Sequence, residues 1–175
     1  MGGRRRSYTR VVTEETLASL QALGAKVGAR LKERQETIAV AESSAGGLIN
    51  AALVAVPGAS AYYLGGEIIY TGTARERVLG ITREEMAGLR SASEPYARLV
   101  ARRVREQLGA TWGLAEAGAS GPTGNRYGDA PGHACLAVSG PVELATTLET
   151  GSDDREANMW RFARAALELL LSAMR

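Results

Sequence analysis

The chain is poor in the residues that build redox and metal centres. Among its 175 residues it has one cysteine, Cys135, and one histidine, His133. A single thiol excludes an intramolecular disulfide, and one cysteine beside one histidine is too few for a zinc site, so no metal and no cofactor are expected. Aromatic residues make up only 5% and the formal net charge is +2, with no interleaving of basic and aromatic residues, so nucleic acid is not an expected partner. No apolar run is long enough to span a bilayer, and the first residues lack the apolar core of a signal peptide. The expectation is a cytoplasmic protein with no membrane partner. Lysine is also scarce: Lys26 and Lys32 are the only two, and both fall in the first helical stretch.

What is present is an ordinary globular mixture, 45% apolar and 23% charged, enough for one domain with a real core. Residues 1–10 read as a disordered basic tail and 11–175 as the domain. A helix is expected from Thr13 to about Arg34, with Leu17, Leu20, Leu23, Val27 and Leu31 as its apolar stripe. Thr37–Ala41 reads as a buried strand, and a helix begins at Leu48. Residues 65–71 read as a second strand, 72–80 as a loop with one helical turn, and 82–89 as a short helix. Ser93 caps a long helix in which Tyr96, Leu99, Val100, Val104 and Leu108 face inward. Strands follow at 112–117, 133–139 and 142–148, and Asp153 or Asp154 caps a terminal helix. Strands alternating with helices predict an α/β fold with a mixed, mainly parallel sheet covered on both faces.

Glu42-Ser43-Ser44-Ala45-Gly46-Gly47 is the stretch where chemistry is expected. A strand that breaks into a glycine-rich turn and then a helix exposes side chains at the strand's carboxyl end, beside unpaired amides. Ser43 or Ser44 is placed there as a nucleophile or anion ligand; on local pattern alone the same residues read more readily as a helix cap, with the glycines allowing close packing. Ligands of open α/β sheets sit at the carboxyl edge, where this turn, the segment 71–75 and the long loop 118–128 converge. The four glycines of that loop suit either a backbone phosphate cradle or a structural turn.

Taken together, AVAESSAGGLINAAL, VPGASAYYLGGEIIYTGTAR, SASEPYA, AGASGPTG and GSDDRE resemble, in order, the C-terminal domain of the competence/damage-inducible protein CinA. That family includes stand-alone nicotinamide mononucleotide amidohydrolases. The resemblance runs from about Thr13 to the end. It implies a three-layer α/β/α domain with a mixed five-stranded sheet, a homodimer or higher homo-oligomer, and deamidation of nicotinamide mononucleotide to nicotinate mononucleotide. The family turn ESCTGG gives Ser43 the role of nucleophile and brings Glu42, Ser44, Gly46 and Gly47 to the substrate. Here Ser44 replaces its cysteine and Ala45 its threonine. The family stretch YSNEAK matches Tyr70–Arg75, so Tyr70 is kept and the lysine has become Arg75. TGIAGP matches Ala117–Pro122, which assigns Gly118, Ala119, Ser120 and Gly121 to ligand binding. Arg155 matches the arginine of GDR, and a further arginine one turn on has become Met159.

These departures bear on mechanism. A serine nucleophile needs a base, and arginine stays protonated. His133 and Glu42 remain as candidates, while Arg75 suits phosphate binding or oxyanion stabilisation. Three functions follow: an amidohydrolase using Ser43, Tyr70 and Arg75; a catalytically altered relative that binds a small phosphorylated molecule; or an interaction protein without a ligand. The first two fail if Ser43 stands far from both Arg75 and Gly121 or points into packed hydrocarbon.

Overall fold

The computed structural model describes residues 16–175. The expected basic tail and the expected helix start at Thr13 lie outside the described residues. The elements are α1 (Leu17–Arg34), β1 (Ile38–Glu42), α2 (Leu48–Val54), a 3-10 turn (Ala59–Ala61), β2 (Tyr63–Ile68), α3 (Gly72–Val78), α4 (Glu94–Leu108), β3 (Trp112–Ala119), β4 (His133–Ser139), β5 (Leu144–Glu149) and α5 (Arg155–Ala173). The five strands form one sheet in the order β2-β1-β3-β4-β5. β2, β1 and β3 run parallel, while β4 pairs antiparallel with β3 and β5. The sheet is therefore mixed, with helices on both faces.

Alternation along the central strands sorts the side chains into two cores. Ile38, Val40, Leu114, Leu136 and Val138 join Leu20, Val27 and Leu31 of α1, Leu53 of α2, and Phe162 and Leu167 of α5. The other face carries Ala39, Ala41, Ala115, Ala117, Cys135 and Ala137 against Tyr96, Val100 and Val104 of α4. Small residues on this second face let α4 lie close to the sheet. At Gly113 the approach is tightest, since a Cβ there would stand 2.0 Å from the Ala101 carbonyl oxygen. Every residue of β1 and β4 is buried, as strands covered on both faces require.

Several boundaries differ from the sequence pattern for local reasons. β2 ends at Ile68 because Thr71 turns out of the sheet to cap α3, its side chain accepting from the Ala74 amide. The stretch 72–80 is accordingly a two-turn helix and not a loop. Residues 82–89 make turns only. Thr82 and Glu85 form a reciprocal capping pair, but Gly88, at φ 78°, stops the helix after its first turn. Leu108, expected inside, is 40% exposed at the end of α4. The terminal helix is capped by Asp154, whose side chain accepts from the Ala157 amide.

The approach of α4 gives a direct test. Gly113→Ala is expected to lower stability by about 1–3 kcal/mol, because backbone and not a flexible side chain must yield. A lowered urea midpoint at unchanged m would show it; unaltered stability would mean that α4 does not lie this close.

Candidate active site

The three parallel strands end at one edge of the sheet, and the antiparallel β4 begins there. Leaving that edge, the segments 43–47, 69–71 and 120–132 surround a cavity of about 230 Å³. Ser43, Tyr70 and Arg75 line it together with Thr71, Tyr96, Gly118, Asn125, Arg126 and Tyr127. The parallel register explains the meeting. Glu42 stands opposite Ile68 and Ala41 opposite Ala115, so the residues that follow β1, β2 and β3 emerge side by side.

The turn after β1 differs from the open amide cradle expected at that point. Glu42 and Glu116 fall on adjacent strands, and both are fully buried on the α2 and α5 side of the sheet. Glu42 accepts from the Ile49 amide (3.2 Å), the Asn50 amide (2.9 Å) and the Asn50 side chain (2.6 Å). Glu116 accepts from the amides of Ser43 (3.0 Å) and Ala45 (2.8 Å) and bonds the Ser44 hydroxyl. The chain's own carboxylates thus occupy the donors that an incoming anion would need. Glu42 and Ser44 are held inside the turn, while Ser43 alone of this trio reaches the cavity. Gly46 lies against Met159 and Gly47 against Ile68, both on the side away from the cavity lining.

Burial pushes the Glu116 carboxyl up to about 7, against the pull of its three hydrogen bonds and with a further push from Glu42. Glu42 is raised in the same way by burial. Tyr63, whose hydroxyl donates to Asn50 Oδ1 at 2.6 Å, is pushed up to about 12 by burial and by the carboxylates of Glu42 and Glu67.

Across the cavity, Arg75 carries a buried Nε with no hydrogen-bond partner. Arg126 lies 5.1 Å from the Tyr127 ring centre and donates to its hydroxyl at 2.9 Å. The Tyr127 phenol is held below its ordinary value by Ser91 and Arg126. Arg155 reaches from α5 to the Gly121 carbonyl (2.7 Å) and the Tyr70 hydroxyl (2.8 Å), linking the long loop to the segment after β2. Ser120 is buried, with its carbonyl accepting from Asn158 at 2.8 Å and its Oγ without a partner. Gly118 borders the cavity, Ala119 pairs with His133, and Gly121 is buried behind the lining. Of the residues expected around Ser43, then, Tyr70, Arg75 and Gly118 share its cavity. Ala119, Ser120, Gly121 and Arg155 form the wall behind.

His133 is not among the lining residues. Its Nδ1 meets the Glu149 carboxylate and its Nε2 the Ala92 carbonyl at 3.0 Å. Burial alone would push this imidazole down, but Glu149, the Ala92 carbonyl and Asp129 together raise it. With both nitrogens engaged in this way, it directs neither toward Ser43. The residues that sequence reasoning missed are Glu116, Asn125, Arg126 and Tyr127, together with Tyr96, expected only as core. Glu116 carried a signal: it is the one charged residue in the strand WGLAEAGA.

Among the described residues no cluster of metal-binding side chains occurs and no helix is long and apolar enough to cross a membrane. Fold and site together define a three-layer α/β/α domain with a cavity at the carboxyl edge of a mixed sheet. Residues 20–174 match the family model described as the CinA C-terminal domain, and the chain belongs to that family. A CinA-like protein of Anaeromyxobacter dehalogenans is 40% identical over 149 residues, covering 85% of this chain and 36% of that protein. One from Gloeobacter violaceus is 40% identical over 145 residues, covering 80% and 33%. The chain therefore spans about a third of the length of these relatives. Among solved structures, the competence/damage-inducible protein CihA from Agrobacterium tumefaciens superposes with a TM-score of 0.83 at 25% identity, over 89% of this chain and 96% of that one. The competence damage-inducible protein A of Klebsiella pneumoniae gives 0.82 at 26% identity, over 87% and 95%.

The buried carboxyl predicts a specific pH dependence. Glu116 has a folded-state value of about 7 against an ordinary 4.5, so its contribution to stability is complete below 4.5 and is lost as pH rises through 7. The loss is on the order of 3 kcal/mol. Glu116→Gln, whose amide can serve the same partners, should lack this decline. Urea midpoints of both proteins between pH 4.5 and 8 decide the matter: parallel curves would mean that Glu116 titrates as an ordinary carboxyl.

Proposed function

We propose that this domain is amidohydrolase-like and that its cavity takes a small phosphorylated molecule of the pyridine mononucleotide kind, with Ser43 as the attacking hydroxyl. The observation that carries this reading is that Ser43 and Arg75 line one cavity, Arg75 bringing a buried, unpartnered donor. In the reaction, Ser43 Oγ adds to the carboxamide carbon, ammonia leaves, and water hydrolyses the resulting ester. Arg75 and Arg126 supply positive charge for a phosphate or a developing oxyanion. Tyr96 and Tyr127 offer aromatic surface to a planar ring.

A second reading, ligand binding without turnover, is favoured by one specific observation. Among the described residues, none of the side chains lining the cavity is a lysine, a histidine or a carboxylate. The two candidates for a base, Glu42 and His133, are both engaged elsewhere. Arginine at position 75 cannot take the serine proton.

Ammonia release from nicotinamide mononucleotide, read alongside ligand-induced thermal stabilisation, separates the two. For a hydrolase, Ser43→Ala should reduce ammonia release at least about 100-fold while leaving the thermal shift in place. For a binder, the shift occurs without ammonia, and Arg75→Lys restores turnover by supplying a base that can lose its proton. Neither ammonia nor a shift would overturn both readings.

A further inference from the structure

Glu116 has no part in either reading above, yet it holds the turn that presents Ser43. Among the described residues it alone is bonded to three successive members of that turn: the Ser43 amide, the Ser44 hydroxyl and the Ala45 amide. Both carboxyl oxygens are used, Oε2 by the two amides and Oε1 by the hydroxyl. An ionised Glu116 accepts all three bonds. A neutral one still accepts both amides on Oε2 and donates its own proton from Oε1 to Ser44 Oγ. All three contacts to the turn persist in either state, with the Ser44 O–H released on protonation, so what changes most is the charge.

That charge stands one residue behind the cavity. Ser43 touches both sides, its amide on Glu116 and its side chain in the cavity lining. The ionisable group facing Glu116 is Glu42 from β1, which disfavours its ionisation further. Its pairing partner on β4 is the uncharged Leu136. The hydrogen bonds of Glu116 all go to the turn, and none of them is to a cation.

We propose that Glu116 is the positioning residue of the Ser43 turn and that it takes up a proton from solvent when an anion enters the cavity in front of Ser43. This rests on the reading that the cavity binds a phosphorylated ligand, and it adds what that binding does to the protein. An anion in the cavity and an ionised Glu116 repel each other across the Ser43 turn, and protonation removes the repulsion while the three contacts to the turn persist. The uptake is largest around neutral pH, where the buried carboxyl changes state.

The test is a nuclear magnetic resonance titration of the full chain carbon-13 labelled at the glutamate carboxyls, with Glu116 assigned by its loss in Glu116→Gln. The expected result is that the Ser43 and Ala45 amide shifts follow the Glu116 carboxyl in the free protein. Saturating inorganic phosphate should raise the midpoint by about 0.5–1 pH unit, and Arg75→Ala should abolish that rise. In Glu116→Gln the amides should no longer titrate. A midpoint that phosphate leaves unmoved, failure of phosphate to bind, or amides that ignore the carboxyl would each overturn the proposal. Should phosphate move the midpoint while nicotinamide mononucleotide does not, the proton coupling stands and the pyridine mononucleotide reading fails.

Discussion

Two buried carboxylates govern this end of the molecule. Glu42 and Glu116 lie on neighbouring strands at the same edge of the sheet, facing the same helices, and between them they take the donors of the turn after β1. Burying one carboxylate costs several kcal/mol unless its hydrogen bonds are met, and burying two side by side costs more. Here each of the four carboxyl oxygens has a partner from the backbone or from Ser44 and Asn50. The arrangement replaces the ordinary side-chain cap of a short helix, which Gly47 is unable to provide. It also fixes which serine faces the cavity and which is locked behind it.

The consequence for chemistry is a division between the two sides of the turn. Acidic groups, with the one hydroxyl bonded to them, lie behind it, away from solvent. In front lie Ser43, three tyrosines, Asn125 and two arginines around the cavity. Positive charge with aromatic walls suits recognition of a phosphorylated ring compound, whereas proton abstraction from Ser43 has no obvious agent within the same walls. A lysine at position 75 would serve both ends, as cation and as base, but an arginine serves only the first. Membership in the CinA C-terminal domain family establishes the scaffold; the replacements at 44, 45 and 75 make this chain's chemistry its own question.

Much of the architecture could be read from local pattern. The apolar run Ile38–Ala41 read as a buried strand because a strand covered on both faces has no polar side. Ser93 and the Asp153-Asp154 pair marked helix starts because short acceptors meet the free amides of the first turn, a role that Asp154 takes in α5. The pattern misled where two local signals competed. Residues 82–89 carried a sound capping pair but also Gly88, and the glycine prevailed; at 71, the capping threonine prevailed over the β-branched and aromatic run before it.

The sequence by itself determined the element order, the class of fold and the position of the serine turn at a strand's carboxyl end, because these follow from periodicity and capping within a few residues. It also placed Ser43, Tyr70, Arg75 and the glycine loop at one edge, since parallel strands must end together. Only the tertiary structure decided which groups those residues meet. That Glu116 grips the turn from 71 to 73 positions away, that His133 is spent on Glu149 and Ala92, and that Arg155 ties Gly121 to Tyr70 are contacts between distant stretches. Strand register and side-chain burial select such contacts, and no window of the sequence contains both partners.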